Sequence, residues 1–328
     1  MTIANGSQHS MSYVVESTFG TTPGTPTLTP LRNTGTTLGL SKDSFESEEL
    51  RSDRMVKDFR HGNKNNAGDI NIEMSYGSHD DFLEALICGT WSTKVDSTAI
   101  TASSASGTFT RGTGSFITDG FAVYDIITSS GYVDADNNGR FLVTAISALV
   151  LTVTPLEGQT MTVEAGGGDE QFIADANLRT GSTRRSFTVE RKFDDITQYL
   201  RYTGCNINTL SLSVDPNAIV SGSFGVIGKG QTTDTSAIAG SSYGTETTTS
   251  PFDSFTGSIK DNGTDIAVVT SLSLSIDNGM SALFVVGSAE TLQPSIARSR
   301  VSGSMSVYFE DTTVLDKFIN ETETTIQF

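Results

Sequence analysis

The feature that most constrains this chain is a two-residue alternation of apolar and polar side chains that returns along its length. In GDINIEMSY (68–76), Ile70, Ile72, Met74 and Tyr76 share one face, while Asp69, Asn71, Glu73 and Ser75 share the other. Successive side chains of a strand point to opposite faces, so this pattern predicts a half-buried β-strand. The same period predicts strands in INTLSLSVD (207–215), AIVSGSFGVIG (218–228), DIAVVTSLSLSID (265–277) and RVSGSMSVYFED (300–311). SFTVERKF (186–193), SALFVVG (281–287) and the closing TTIQF also read as strands. Asp215-Pro216-Asn217 supplies a turn between two of them. With 32 glycines, abundant Ser and Thr and 36% hydrophobic residues, the composition suits a β-rich chain with many turns.

Short amphipathic helices punctuate the strands. In HDDFLEALICGTW (79–91), Asp80 or Asp81 is placed to cap a helix; Phe82, Leu83, Leu86 and Ile87 form its stripe and Gly89 stops it. TTVLDKFIN (312–320) repeats the design with Val314, Leu315, Phe318 and Ile319. DDITQYLRYTG (194–204) reads as a short helix or turn contacting through Ile196, Tyr199 and Leu200. Residues 1–40 show little period, and TTPGTPTLTP (21–30) predicts an extended arm. SFESEELRSD (44–53) is strand-like, RMVKDFRHGNKNN (54–66) reads as a charged loop, and 231–251 as a low-complexity surface loop.

Residues 96–165 change character. FLVTAI and LVLTVT are short strands and NNG a tight turn, which together predict a small β-barrel inserted in the main fold. EAGGGDE (164–170) and the following TGSTRR read as its exit linker. The chain thus divides into 1–95, the arm and the first part of a β-sandwich; 96–182, the inserted module with its linker; and 183–328, the remainder with a second repeat unit.

Two self-similarities motivate that repeat. Gly68 to Met74 followed by DDFLEALICG parallels Gly303 to Phe309 followed by TTVLDKFIN. Leu210-Ser-Leu212-Ser-Val214-Asp215 parallels Leu272-Ser-Leu274-Ser-Ile276-Asp277. Duplication of one sandwich unit accounts for both matches, with coincidence as the alternative.

The formal net charge of −17 disfavours ordinary nucleic-acid binding, because such a surface repels phosphates. Cys88 and Cys205 form no C-x-x-C pair and read as small buried residues in a reducing compartment. The opening MTIANGSQHSMSYVVE has no basic segment followed by an apolar core, and no stretch reaches the ~18 apolar residues of a membrane helix. The expectation is a protein made and assembled in a cytosol, without membrane partners. His9, His61 and His79 lie in polar segments without a nucleophile elbow, which argues against a hydrolase. Asp134, Asp136 and Asn138 match the opening of a calcium loop, yet position twelve is Ala145 where a bidentate Glu is needed; a hairpin turn explains the segment better and no metal is expected. No Gly-rich stretch carries a lysine at phosphate-loop spacing, so no cofactor is expected. Arg184, Arg185, Arg191 and Lys192 form a basic cluster suited to meet the acidic Glu46, Glu48 and Glu49 of a neighbour.

Four pieces taken in order resemble the major tail-tube proteins of long-tailed, siphovirus-type phages. They are residues 46–91, the inserted module with GSFITDGFAVYDI and NNGRFLVTAI, residues 187–230, and SVYFEDTTVLDKFIN near the end. The resemblance implies a mainly β fold: sandwich units with a short flanking helix, whose sheets join between subunits into a barrel around a channel, with rings stacked into a tube. It implies a structural role without enzymatic activity, assembly in the host cytoplasm into the virion tail, and contacts with itself, a tape measure protein, a tail terminator and a distal tail protein. Double-stranded DNA would pass through the lumen without specific binding. The loop after the first strand would reach the next ring, which places Arg54, Lys57, Asp58, Phe59, Arg60 and Lys64 there, with cations facing an otherwise acidic subunit. Asp69, Asn71 and Glu73 are candidates for the lumen, where an acidic or neutral lining lets DNA slide. If the chain holds two units, three chains make a ring with pseudo-sixfold symmetry. The alternative is a β-sandwich carbohydrate-binding or adhesion protein, which the single Trp, at the end of a helix, does little to support.

Overall fold

The computed structural model describes residues 3–328 apart from 94, 99, 101, 105–106, 157, 256, 258, 262–263, 267–268, 324–325 and 328. The fold is mainly β, and its residues gather around two separate buried clusters. The first belongs to a sandwich body. In chain order this body contains β1 (His9–Glu16), β2 (Thr27–Pro30), β3 (Gly39–Glu46), β4 (Phe59–Glu73), α1 (Asp80–Leu86), β5 (Ser186–Phe193), β6 (Gln198–Val214), β7 (Ser221–Gly228), β8 (Gly230–Asp234), β9 (Val269–Asp277), β10 (Arg300–Val307) and α2 (Thr313–Ile319).

The 17-residue β6 organises the body. Its first half pairs with β5 and β8, and its second half with β7 and β9. One sheet therefore runs β2-β1-β5-β6, and the other runs β4-β7-β6-β9-β10. The change of sheet coincides with Gly204, at φ +65°, and with register shifts against both partner strands. A Cβ at Gly204 would lie 2.7 Å from Lys229 Cβ and 2.9 Å from the Phe19 ring, so a left-handed, side-chain-free residue is required where the strand turns.

The alternation of apolar residues places Ile70, Ile72, Leu210, Phe224 and Val226 on the inner face of the second sheet, and Met11, Tyr13, Phe187 and Val189 on that of the first. Helix α1 sits between them. Seven residues are too few to hold a helix in water, so packing must supply its stability. Phe82 supplies it: its ring lies 5.0 Å from Phe187, 4.9 Å from Tyr13 and 5.4 Å from Phe224. Phe82 and Leu86 are fully buried and Leu83 and Ile87 partly so, as the stripe predicts. The cap differs from expectation. The residue before the helix is His79, with no side-chain cap, and Asp81 instead accepts from the Tyr13 hydroxyl at 3.0 Å.

Several segments depart from the sequence reading. Residues 194–204 are not a helix: 194–197 turn, and the rest opens β6, because Tyr199 and Tyr202 pair into the ladder with β5. The first forty residues are not a loose arm. MSYVV lies in β1, fully paired with β5, and two of its side chains enter the core. Residues 59–66 are not loop but the start of β4, whose long hairpin with β3 projects beyond the sheet. Of the strand expected at 265–277, residues 269–277 are β9, and Ala267 and Val268 lie outside the described residues; of the closing TTIQF, only Ile326–Gln327 is described, as a strand.

The second cluster belongs to the insert. Strands from Val95–Thr98 to Gln171–Ala174 make one eight-stranded sheet. Phe109 and Phe172 stand on strands separated by three others, about 19 Å apart if the sheet were flat. Their rings are 4.5 Å apart, so the sheet curls around its own core. The stretch 164–170 is not an exit linker, since Glu164–Ala165 pairs with Ala102–Ser103 and Gln171–Ala174 closes against two strands. A single 3-10 turn at Ala135–Asn137, with the Asp134 carboxylate accepting from Asp136 N, runs into NNG (137–139): Asn138 ends the turn and Gly139 opens the next strand.

The insert leaves the body through a narrow neck. Trp91 bridges Leu178, Ser92 N donates to Asn177 O at 2.8 Å, and Asn177 N donates to the Ser92 hydroxyl at 2.8 Å. The two crossing strands are thus adjacent, and a short Gly-Ser join spans them. Replacing 94–176 by such a join is expected to leave the melting temperature of the body within a few degrees of its value in the full chain, measured by calorimetry. A body that no longer folds would show that the insert's core supports it.

Candidate channel wall and assembly surfaces

The outer face of the second sheet follows from register. Across β4, β7, β6, β9 and β10, three rows of side chains point away from the core. One is Asn71-Ser223-Ser211-Ser275-Ser302; the next is Glu73-Ser221-Ser213-Ser273-Ser304; the third is Asp69-Gly225-Thr209-Asp277-Arg300. Nine of these fifteen positions carry hydroxyls: two in β7, three in β6, two in β9 and two in β10. Ser211 meets Ser223 at 2.9 Å and Ser273 meets Ser304 at 2.8 Å, so hydroxyls partner one another across strands. Three carboxylates against one guanidinium leave the face at −2 formally, a small share of the chain's −17. The predicted lumen residues Asp69, Asn71 and Glu73 all lie on this face. The sequence signal for this face is the serine at each alternate position of LSLSVD, LSLSID and GSMS.

The core-side face of the same sheet is covered by α1 only in part. Over β9 and β10, Leu274, Val301 and Met305 line a groove of about 340 Å³, and Val301 is 64% exposed. Among the described residues β10 pairs with β9 alone, which leaves its other edge open. Both matched segment pairs fall in this sheet. The two LSLS strands are direct antiparallel neighbours, Leu210 opposite Ile276 and Leu212 opposite Leu274, while the two Gly-led strands β4 and β10 stand at its two sides. The buried cluster described for the body is one cluster, not two.

The β3–β4 arm carries the charged residues read as an inter-ring loop. Arg54, Lys57 and Asp58 sit at its tip, and Phe59, Arg60 and Lys64 in β4. The charges engage one another: Arg51 with Asp53 at 2.8 Å, Lys57 with Glu49 at 3.1 Å, Arg60 with Asp58 at 2.8 Å. Lys64 reaches Glu290 at 3.3 Å. The apolar side chains do not: Leu50, Met55, Val56 and Phe59 are all more than half exposed.

The basic cluster is not a free patch. Arg185 is ion-paired with Glu84 at 3.1 Å and donates to Gly89 O; Arg184 donates to Pro294 O; Arg191 stacks on the Phe193 ring at 4.7 Å; Lys192 pairs with Asp194 at 2.5 Å. These cations tie down their own chain, and Glu49 already holds Lys57; Glu46 ends β3 and Glu48 lies at the arm tip, both exposed.

The remaining candidates are structural. His79 is buried against Phe224, its Nε2 at 3.1 Å from Arg32 O, and burial pushes the ring below the usual imidazole range. This corrects its placement in a polar segment. His9 and His61 lie far along other strands, at β1 and the arm. Cys88 and Cys205 are free thiols, and burial raises both. Asp134 accepts from Thr162 Oγ1 at 2.7 Å, which lowers its pKa; Asn138 accepts from Tyr132 N and donates to Asp134 O; these groups bind the turn itself rather than converging on an ion. No group of metal-ligating side chains occurs among the described residues, and no described helix is long and apolar enough to cross a membrane.

A hydroxyl-faced sheet with an open edge, carried on a helix-braced sandwich with a projecting arm, defines a mainly β structural protein. The profile of the phage tail tube protein family matches residues 6–328, and the chain belongs to that family. No individual curated protein matches it in a sequence comparison.

Proposed function

We propose that the chain is the structural subunit of a long phage tail tube, assembling in the host cytoplasm into stacked rings whose channel conducts DNA. The observation that carries this reading is the three-row hydroxyl face of the β4-β7-β6-β9-β10 sheet. A wall of serines offers a passing duplex hydrogen bonds no better than water's, and few cations to hold its phosphates. The open β10 edge and the uncovered Leu274, Val301 and Met305 are what a neighbouring subunit would complete, since an unpaired edge beside an apolar face otherwise invites uncontrolled pairing. The insert, joined by its neck, would decorate the outside. A tape measure protein within the tube, and a terminator and distal tail protein at its ends, are the further partners this role requires.

The single sheet bears on ring size. Five strands per chain give fifteen for three chains and thirty for six. Porins of 16–18 strands already enclose only an aqueous channel for small solutes. Six copies therefore suit a duplex better than the three that two sandwich units would require. Electron microscopy of the purified chain is expected to show rings or tubes with six subunits in top view. Rings of three subunits, each giving two sheet segments, would restore the duplicated reading; a dispersed monomer at high concentration would sink the tube itself.

A further inference from the structure

We infer that His79 is an acid-sensitive latch: its neutral ring holds Arg32 and, through Arg32, a strap of residues 242–253 against the body, and a proton on that ring releases both. The strap lies on the surface, as its Ser, Thr and Gly suggest, yet it is anchored at both ends. Ser242 and Tyr243 pair with Thr27 and Leu28 at the edge of the first sheet. Further on, Phe252 N donates to Met74 O at 2.8 Å and Val220 N donates to Phe252 O at 2.9 Å, so the strap closes one end of the second sheet. Between those anchors Arg32 pins it. The guanidinium donates to Thr249 O at 2.6 Å and to the Ser75 hydroxyl at 3.1 Å, and its Nε lies 3.9 Å from Glu246. The Ser78 hydroxyl meets that of Thr247 at 2.5 Å.

His79 supports that pin. It is 1% exposed and packs against the Phe224 ring, and its carbonyl starts α1 by accepting from Phe82 N at 3.1 Å and Leu83 N at 3.0 Å. A carbonyl oxygen can only accept, so Nε2, 3.1 Å from Arg32 O, carries the hydrogen of the neutral ring. Nδ1 is then the bare nitrogen, and it is buried without a partner. A proton there would create a charged donor with nothing to bond, in a place where an unpaired charge is costly. The surroundings do not offset this. Burial opposes the proton most; the Arg32 cation opposes it too, and Asp80 at the start of α1 favours it without reversing the balance. Glu246 of the strap already faces Arg32, while Phe224 and residues 74–78 bring no charge. Above the ordinary imidazole value of about 6.5 the ring is neutral in folded and unfolded chains alike. Below it the released state takes up a proton that the closed latch refuses, so closure weakens by up to about tenfold per pH unit until the closed ring itself titrates. Acid would thus undo the end of the hydroxyl-faced sheet where Glu73 pairs with Ser221, opposite the arm, and leave the insert intact.

The test is hydrogen exchange of the full chain, read by mass spectrometry at about pH 7.5 and about pH 5.5 and corrected for intrinsic rates. Protection of peptides holding Phe252 N, and of those holding Phe82 N and Leu83 N, is expected to fall about tenfold across that range, while peptides of the insert keep theirs. His79→Gln retains a donor for Arg32 O and cannot take a proton, so its protection should not respond to pH. Unchanged protection in the wild type, an equal loss in the insert, or the same loss in His79→Gln would overturn the latch. Should His79→Gln not fold, the ring signal of His79 in carbon-13-labelled wild type decides. A ring that gains its proton while the strap amides stay protected overturns the latch; one that gains it only as they lose protection supports it.

Discussion

Phe82→Ala is expected to unfold the sandwich body while the insert stays folded. Phe82 is fully buried at the one point where rings from both sheets converge, with Tyr13, Phe187 and Phe224 all within 5.4 Å. Truncating such a side chain costs about 3–5 kcal/mol in transfer and cavity terms, and its one edge-to-face pair, with Phe224, adds about 0.5–1.5 kcal/mol. Helix α1 has seven residues and no side-chain cap to fall back on, so losing its anchor releases the whole helix. A domain's entire stability is about 5–15 kcal/mol, and this single change removes a large part of it. The insert has its own cluster around Phe109, Phe141 and Phe172, and the two buried clusters share no residue. Calorimetry should then show the body's transition lost or lowered by more than ten degrees, with a second transition kept. A single transition within two or three degrees of wild type would show that the junction is not where the body's stability resides.

The second large effect concerns the serine face. Ser211→Lys with Ser275→Lys adds two cations per chain in the middle of a row that holds none. Both residues are exposed and lie opposite each other across strands, so the substitutions should fold, at the cost of like charges placed side by side. In an assembled ring every subunit contributes two, and duplex DNA meets a band of lysines. Binding should then fall linearly in log–log terms with salt, with a slope of about −0.9 for each phosphate neutralised. Variant tubes incubated with labelled duplex in 50 mM salt should retain it and release it steeply as salt rises, whereas wild-type tubes retain almost none. Equal retention by the two would mean that this face does not line the channel.

Much of the architecture was legible because strand alternation is a local signal. GDINIE, the LSLS segments and GSMSV fell in the expected strands and Phe82 and Leu86 of the α1 stripe are buried, whereas Met74 to Tyr76 lie past the end of β4 and Tyr76 is exposed rather than on the buried face. What escaped was decided by partners distant in sequence. MSYVV becomes a central strand only because β5, some 180 residues later, pairs along its whole length. QYLRYTG has helix-compatible spacing, yet Tyr199 and Tyr202 are taken into the ladder of β5. Residues 54–66 read as a loop because Arg, Lys, His and Asn are frequent there; the strand character of 59–66 comes from β3 alongside, not from any apolar face. Among the candidate residues, Asp69, Asn71 and Glu73 came together because one strand holds them, while the cations of the basic cluster each have an acceptor or ring within their own chain.

The long strand β6 has a mechanical consequence. Because one strand serves both sheets, and Phe82 packs between them, the two sheets are tied into one unit. A tube many rings long still has to bend in transit and under flow. In the proposed tube, such building blocks would leave curvature to be absorbed where one ring rests on the next. Greasy side chains without directional bonds can slide and tilt by a few ångströms at nearly constant energy, which a ladder of ion pairs or hydrogen bonds cannot. Bending stiffness in such a tube would then be set by the softest seam between rings, and its bore would keep a constant cross-section along the curve.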